Sequence, residues 1–302
     1  MGTKNIERSG LDMSKTDNKE NKTKELFNKI VEGVQNLVNS GEYEKFLKFS
    51  KNFHNYSFNN VFLIFSQMPE ATQVAGFAKW KAMARNLKKG ARGIQIIYPI
   101  KRSYTKKKLE GQDSLLDSED KDTKQEEKIE YLTYRYTYVY DISQTYGKPL
   151  PLSNDSLNSN DKKEFLEFLK SFSPYPILEE NIAGSEKGYW SKTKQHIVLE
   201  DTLSIDDKVS VLLHELTHAL YDDFDYKENR NLSETFVESV AFIVADYFDL
   251  DTSMCSFEYI TSWTEGDTKI LLELGDKIQK CANSFIKNLE DYYNNGNIRI
   301  AS

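Results

Sequence analysis

The stretch Val211-Leu212-Leu213-His214-Glu215-Leu216-Thr217-His218-Ala219-Leu220-Tyr221 constrains this chain more than any other. It follows a capping pattern at Ser204/Asp207, and Val209, Leu212, Leu213, Leu216, Ala219 and Leu220 spread nearly all round a helical wheel, which predicts a buried helix. Two imidazoles and a carboxylate inside such a helix are costly unless something satisfies them. At 3.6 residues per turn, His214 and His218 project from one face and can reach one ion. Two imidazole nitrogens at that spacing suit a single tetrahedral Zn²⁺, with Glu215 beside it as general base for a water molecule.

A catalytic site of this kind needs a third protein ligand. The other histidines, His54 and His196, lie upstream in different surroundings, so an acid is the better candidate. The next helix, Ser233 to Phe248, offers Glu234 and Glu238 on the same stripe as Val237, Ala241, Ala245 and Phe248. One of the two can ligate while the other accepts a hydrogen bond from a ligand histidine and fixes its tautomer. Spacing leaves the roles open. The arrangement resembles the glutamate-ligand zincins of the thermolysin type, and that resemblance implies Glu234 as ligand and Glu238 as its support. "GYWSKTKQHIVLED", just before the first helix, is expected to supply an edge strand able to pair with an extended peptide. His196 reads as structural, and Tyr221 and Tyr189 are both candidates for stabilising an oxyanion.

Around this motif the chain is organised in an α+β pattern. Residues 1–22 are polar without hydrophobic period and read as a disordered tail. Leu26, Ile30, Val34 and Leu37 then mark a helix, followed by helices over Phe46 to Phe53 and through "FNNVFLIFSQM". A strand from Ile94 stopped by Pro99 should pair with Tyr131 to Asp141, with the charged stretch 102–129 as a flexible hairpin loop. The Pro-, Ser- and Asn-rich stretch 147–161 marks the expected limit between a first domain, 23–150, and a second, 151–302, mainly helical with a small sheet. Only Cys255 and Cys281 are present, which excludes a disulfide framework and a cysteine-type zinc site and fits a reducing cytoplasm. Nothing near Met1 reads as a signal peptide, and no apolar run approaches the roughly 20 residues a membrane span needs.

Charge divides the two halves. Between Gly41 and Lys108 stand 14 Lys and Arg against three acids, leaving 26 bases against 44 acids elsewhere. A basic block in an acidic protein points to a polyanion partner. Within it Tyr56, Asn59, Asn60 and Trp80 are interleaved with Lys81, Arg85, Lys88, Lys89 and Arg92, the mixture of stacking faces and cations that single-stranded DNA requires.

The segment "YSFNNVFLIFSQMPEATQVAGFAKWKAMARNLKKGARGIQIIYPI" followed by "YVYDISQTYGKPLP" resembles the N-terminal domain of ArdC-like antirestriction proteins. The resemblance rests on Tyr56, Asn60, Trp80, Lys89-Gly90, Pro99 and Asp141 to Thr145, and it runs over about residues 24 to 290. It implies a single-stranded DNA-binding domain joined to a zincin metallopeptidase domain with one Zn²⁺, on a plasmid or other conjugative element. The implied role is protection of incoming DNA from restriction, with a protein or peptide as a further partner. Two other readings stay open: a DNA-shielding module whose zinc only braces the fold, and a zincin of the ImmA/IrrE kind that cleaves a regulatory protein.

Overall fold

The computed structural model describes residues 7–107, 126–150, 161–252 and 268–295. The fold is α+β, with long helices and, among the described residues, three small sheets. Helix α1 (Glu7–Asn39) begins earlier than expected. Residues 7–22, anticipated as a tail, continue the helix that Leu26, Ile30, Val34 and Leu37 anchor by their burial. No proline interrupts that stretch, so the helix has no reason to stop there.

After the turn at Gly41, α2 (Tyr43–Ser50) runs into a 3₁₀ turn, Lys51–Phe53, and α3 (Phe58–Gln67) follows. Phe58 and Phe62, one turn apart on α3, each lie against a glycine. A Cβ at Gly275 would come within 2.5 Å of the Phe58 ring, and one at Gly33 within 2.3 Å of the Phe62 ring. Both glycines are notches in helices, tolerated there because a large ring fills each.

The short elements β1 (Val74–Ala75), α4 (Phe77–Ala82) and β2 (Arg85–Leu87) lead into β3 (Ile94–Lys107), β4 (Glu126–Asp141) and β5 (Thr145–Gly147). Strand β4 lies between β1 and β3, and β2 pairs antiparallel with β5. Strand β3 does not stop at Pro99. Among the described residues it is an outer strand of its sheet, the place where a proline within a strand is tolerated. The expected loop 102–129 is correspondingly shorter, and its residues 108–125 lie outside the described residues.

Asp141 ties this region together. Its buried carboxylate accepts the amides of Thr72 (2.9 Å), Gln73 (3.0 Å) and Ser143 (2.8 Å), while Gln144 Oε1 accepts the Asp141 amide (3.1 Å). Gln144 Nε2 donates to the Arg92 carbonyl and Lys88 Nζ to that of Ser143. The motif Asp-Ile-Ser-Gln-Thr is thus a knot of caps holding β1, β4 and β5 in register, a structural role.

The second half comprises α5 (Lys162–Phe172), β6 (Ile177–Glu180), β7 (Gly188–Ser191), β8 (His196–Glu200), α6 (Ile205–Tyr221), α7 (Tyr226–Tyr247) and α8 (Thr268–Asn294). The sheet order is β6-β8-β7, with β6 parallel and β7 antiparallel to β8. Helix α7 is kinked at Asn229 (φ −128°, ψ 36°).

The compact units do not follow the limit expected at 147–161. Among the described residues, 28–94 pack with those from 138 onward as one unit, and those up to 27 group with 95–137 as another. In the larger unit α2 and the 3₁₀ turn pack on α7, and α3 packs on α8. Tyr43 OH meets Ser239 Oγ at 3.1 Å, Lys51 Nζ donates to the Asp246 carbonyl at 2.9 Å, and Gln279 Nε2 donates to the Phe53 carbonyl at 3.2 Å. Pro, Ser and Asn in 147–161 signal irregular backbone, which need not coincide with a gap in packing; residues 151–160 are outside those described.

Burial alone would raise the Asp141 carboxyl, but the Ser143, Gln73 and Thr72 donors outweigh it and hold it below its ordinary 3.8. Its stabilisation is therefore complete above the unfolded value and lost as pH falls through the lower folded one. Asp141→Ala should cost about 3 kcal/mol in urea unfolding at neutral pH. The deficit relative to wild type should shrink only below pH 3.8.

Candidate metal centre

Helix α6 starts where Ser204 Oγ accepts the Asp207 amide at 3.1 Å, and Val209, Leu212, Leu213 and Leu216 sink its inner face into the core. That burial sets the rotation of the helix and turns His214 and His218 towards α7, their rings 4.9 Å apart. On α7, Val237, Ala241 and Ala245 are buried, so the stripe they share with Glu234 and Glu238 faces α6.

The three groups His214, His218 and Glu234 offer ligand atoms that all lie within 4.8 Å of one another. Glu234 Oε2 is 3.5 Å from His214 Nε2 and 3.7 Å from His218 Nε2. Donors held about 2.0–2.1 Å from a tetrahedral ion are about 3.3 Å apart, so these separations suit a shared cation. Each imidazole is fixed from behind. His214 Nδ1 meets Glu238 Oε2 at 2.9 Å, and His218 Nδ1 meets Asp222 Oδ2 at 2.9 Å. Asp222 is itself held by Ser233 Oγ and the Phe224 amide. Sequence reasoning missed Asp222. It stands four residues after His218, just past the last helical turn, and an acid at that offset is the signal that could have found it.

Glu215 is buried, and its carboxylate accepts the amide of Trp190 on β7. Burial pushes its pKa up against the lowering pull of His214 and His218. The expected edge strand is present as β7, and the parallel strand β6 was not anticipated because four residues after Pro176 carry too little pattern. A cleft of about 1090 Å³ opens on the site, bordered by Tyr189, Trp190, His218, Asp222, Arg230 and Glu234. A smaller pocket of about 240 Å³ adjoins His214 and Glu215 and is walled by Val211, Leu213, Ala241 and Ala245.

The cluster is short of positive charge. Burial opposes protonation of His214, but its bonds to Glu234 and Glu238 prevail and push it up to about 10. His218 is raised for the same reason, through Asp222 and Glu234. Carboxylates on both sides of two imidazoles thus call for a cation at their meeting point, and the donor set of two nitrogens and one oxygen fits a divalent metal.

Other candidates lie elsewhere. Tyr221 OH accepts Asn288 Nδ2 at 3.0 Å, whereas Tyr189 borders the cleft. His54 bonds the Lys51 carbonyl and His196 sits on β8. The expected stacking residues are largely spent on the core. Trp80 is 1% exposed with Nε1 donating to the Tyr140 carbonyl, so it cannot stack on a base. Tyr56 is half-buried and donates to the Val74 carbonyl, and Asn59 and Asn60 are half-buried. Arg85 is engaged with Thr145 Oγ1 and the Lys148 carbonyl, whereas Lys81, Lys88, Lys89 and Arg92 are exposed. A helical pattern cannot tell a core tryptophan from a platform, which is why Trp80 could be taken for one.

Comparison with known proteins places these features. Residues 16–140 match the N-terminal domain of anti-restriction factor ArdC. The uncharacterized Bacillus anthracis protein pXO2-81 is 28% identical over 303 residues, covering 89% of this chain and 51% of its own length, so the chain spans about half of that relative. The crystal structure of the antirestriction protein ArdC from plasmid R388 in its Mn(II)-bound form aligns with TM-score 0.54 and 15% identity, over 87% of this chain and 97% of that one. Its metal-free form aligns with TM-score 0.50 and 17% identity, over 80% and 86%. At such identities the likeness is one of fold. Residues 16–140 thus correspond to the N-terminal domain of ArdC, and the described fold is like that of the R388 protein.

Proposed function

We propose that this chain is a cytoplasmic antirestriction protein of a mobile element that binds single-stranded DNA and carries a zinc-dependent peptidase site. The observation that carries the hydrolytic half is the convergence of His214 Nε2, His218 Nε2 and Glu234 Oε2 beside the buried Glu215. His214, His218 and Glu234 would hold one Zn²⁺, the assignment favoured by donor separations close to a tetrahedral edge. Such an ion supplies Lewis acidity towards a carbonyl and acidifies water. That a Mn(II)-bound form exists for the R388 protein supports a divalent ion here.

The chain's own residues supply the rest. Glu215, with its raised pKa and its orientation fixed by the Trp190 amide, takes the proton of the attacking water and passes it to the leaving amine. Glu238 and Asp222 keep both imidazoles turned with Nε2 inward. Strand β7 borders the cleft and offers backbone to an extended peptide, and Tyr189, which lines the cleft, is a donor for a developing oxyanion. The pocket of Val211, Leu213, Ala241 and Ala245 takes an apolar side chain. A site that merely braced the fold would be closed by a fourth protein ligand, and the open cleft speaks against that reading.

The nucleic-acid half is supported by the ArdC match and by the exposed Lys81, Lys88, Lys89 and Arg92. Replacing Lys88, Lys89 and Arg92 together by alanine should reduce the slope of log affinity against log salt for single-stranded DNA by about 2. Unchanged affinity and slope would remove these cations from the interface. Glu215→Gln should retain one metal equivalent by elemental analysis and lose casein hydrolysis by at least about a hundredfold. If antirestriction persists at full strength in that variant, peptide hydrolysis is not what protects the DNA. Asp222→Asn and Glu238→Gln should each weaken Zn²⁺ affinity by about 10- to 100-fold in competition with a chelating dye. Wild-type affinity in both would show that the imidazoles need no such orientation.

A further inference from the structure

The β3–β4 hairpin carries an exposed aromatic and basic face that neither the metal centre nor the core uses. The rings of Tyr104 and Tyr131 meet across the two strands, with centroids 5.8 Å apart, and Thr133 Oγ1 reaches the Ile100 carbonyl, so the strands run antiparallel. Because side chains alternate along a strand, Tyr98 and Arg102 share the face of Tyr104, and Arg135 shares that of Tyr131. The opposite face is occupied. There Phe27 of α1 packs edge-on against Tyr134, and Lys22 lies over the ring of Tyr136.

On the other face Tyr98, Tyr104 and Tyr131 are 40%, 51% and 42% exposed, and the α1 contacts of Phe27 and Lys22 fall on Tyr134 and Tyr136 instead. Contiguous large rings open to water mark a binding surface. Arg102 and Arg135 stand among them, and neither pairs with a carboxylate among the described residues. Glu130 alternates with Tyr131 and belongs to the α1 side. From Tyr98 to Tyr104 the platform extends about 20 Å along β3.

Stacking faces set between cations, with no acid on that face from Tyr98 to Tyr104 of β3 or from Tyr131 to Val139 of β4, select an unpaired, negatively charged strand with planar bases. Duplex DNA hides its base faces, and an acidic protein surface would leave the rings without partners. We propose that Tyr98, Tyr104 and Tyr131, with Arg102 and Arg135, form the surface on which single-stranded DNA stacks. This placement rests on the proposed DNA-binding reading and replaces Trp80 and Tyr56 as its aromatic contacts. The rings take bases, the guanidinium groups take phosphates, and the sequence preference is weak because every base has a π face.

The test uses the full chain and a fluorescent oligothymidylate of about 16 nucleotides, followed by anisotropy. Tyr104→Ala with Tyr131→Ala should weaken binding at least about tenfold. Tyr104→Phe with Tyr131→Phe should stay within about twofold of wild type, since a phenyl face stacks as a phenol does. Arg102→Gln with Arg135→Gln should lower the salt slope by about 1.4. Leu132→Ala, exposed on the other face of the same hairpin, should change nothing. Wild-type protein that binds the oligomer while the double alanine variant binds equally well overturns this surface and leaves the DNA-binding reading standing. Wild-type protein that does not bind the oligomer overturns that reading and the surface with it. If the alanine variant misfolds, the phenylalanine and glutamine variants decide. A Phe variant that loses affinity, or a Gln variant with an unaltered slope, also counts against the proposal.

Discussion

Each histidine of the centre is tied through Nδ1 to a carboxylate, His214 to Glu238 and His218 to Asp222, and the rest of the site follows from those two bonds. A buried imidazole free to rotate would present either nitrogen, and the distances to Glu234 would then have no meaning. With Nδ1 engaged, both Nε2 atoms point at the same oxygen. The arrangement concentrates carboxylates around two imidazoles, a charge balance that either protonated imidazoles or a shared cation would offset.

The N-terminal helices bear on that pair more directly than a two-domain scheme implies. Helix α2 and the 3₁₀ turn are anchored on α7 through Tyr43–Ser239 and Lys51–Asp246, and α3 seats Phe58 over Gly275 of α8. Helix α7 carries Glu234 and Glu238 on one side and receives α2 on another. The segment that matches the ArdC N-terminal domain therefore contributes part of the wall behind the metal centre.

The sequence made the centre legible and the aromatics illegible for one physical reason. His214, Glu215 and His218 stood out because charge inside an apolar helix needs compensation, and Glu234 and Glu238 stood out because acids on a buried stripe need partners. Asp222 escaped since an acid just past a helix end is ordinary at a loop. Trp80, Tyr56 and the tyrosines of β4 are all apolar rings with a polar tip, satisfied equally by core or by water and ligand. In "YLTYRYTYVYD" tyrosines occupy both alternating faces, so periodicity could place the strand but not say which face is covered. Only the position of Phe27 and Lys22 of α1 against Tyr134 and Tyr136 settles that.

Strand β7 links the two kinds of evidence at the centre. As an outer strand it pairs with β8 on one side, and on the other it donates the Trp190 amide to Glu215. That one bond orients the Glu215 carboxylate and uses one of the outer strand's donors. Gly188, at the start of β7, shows how closely the strand is pressed on α6, for a Cβ there would come within 2.6 Å of Val211 Cγ1. The glycine therefore lets an edge strand approach the helix that carries His214, Glu215 and His218, and it is this approach that buries Glu215 and raises its pKa. The proton affinity of Glu215 is thus set by strand-to-helix packing as much as by the charges around it.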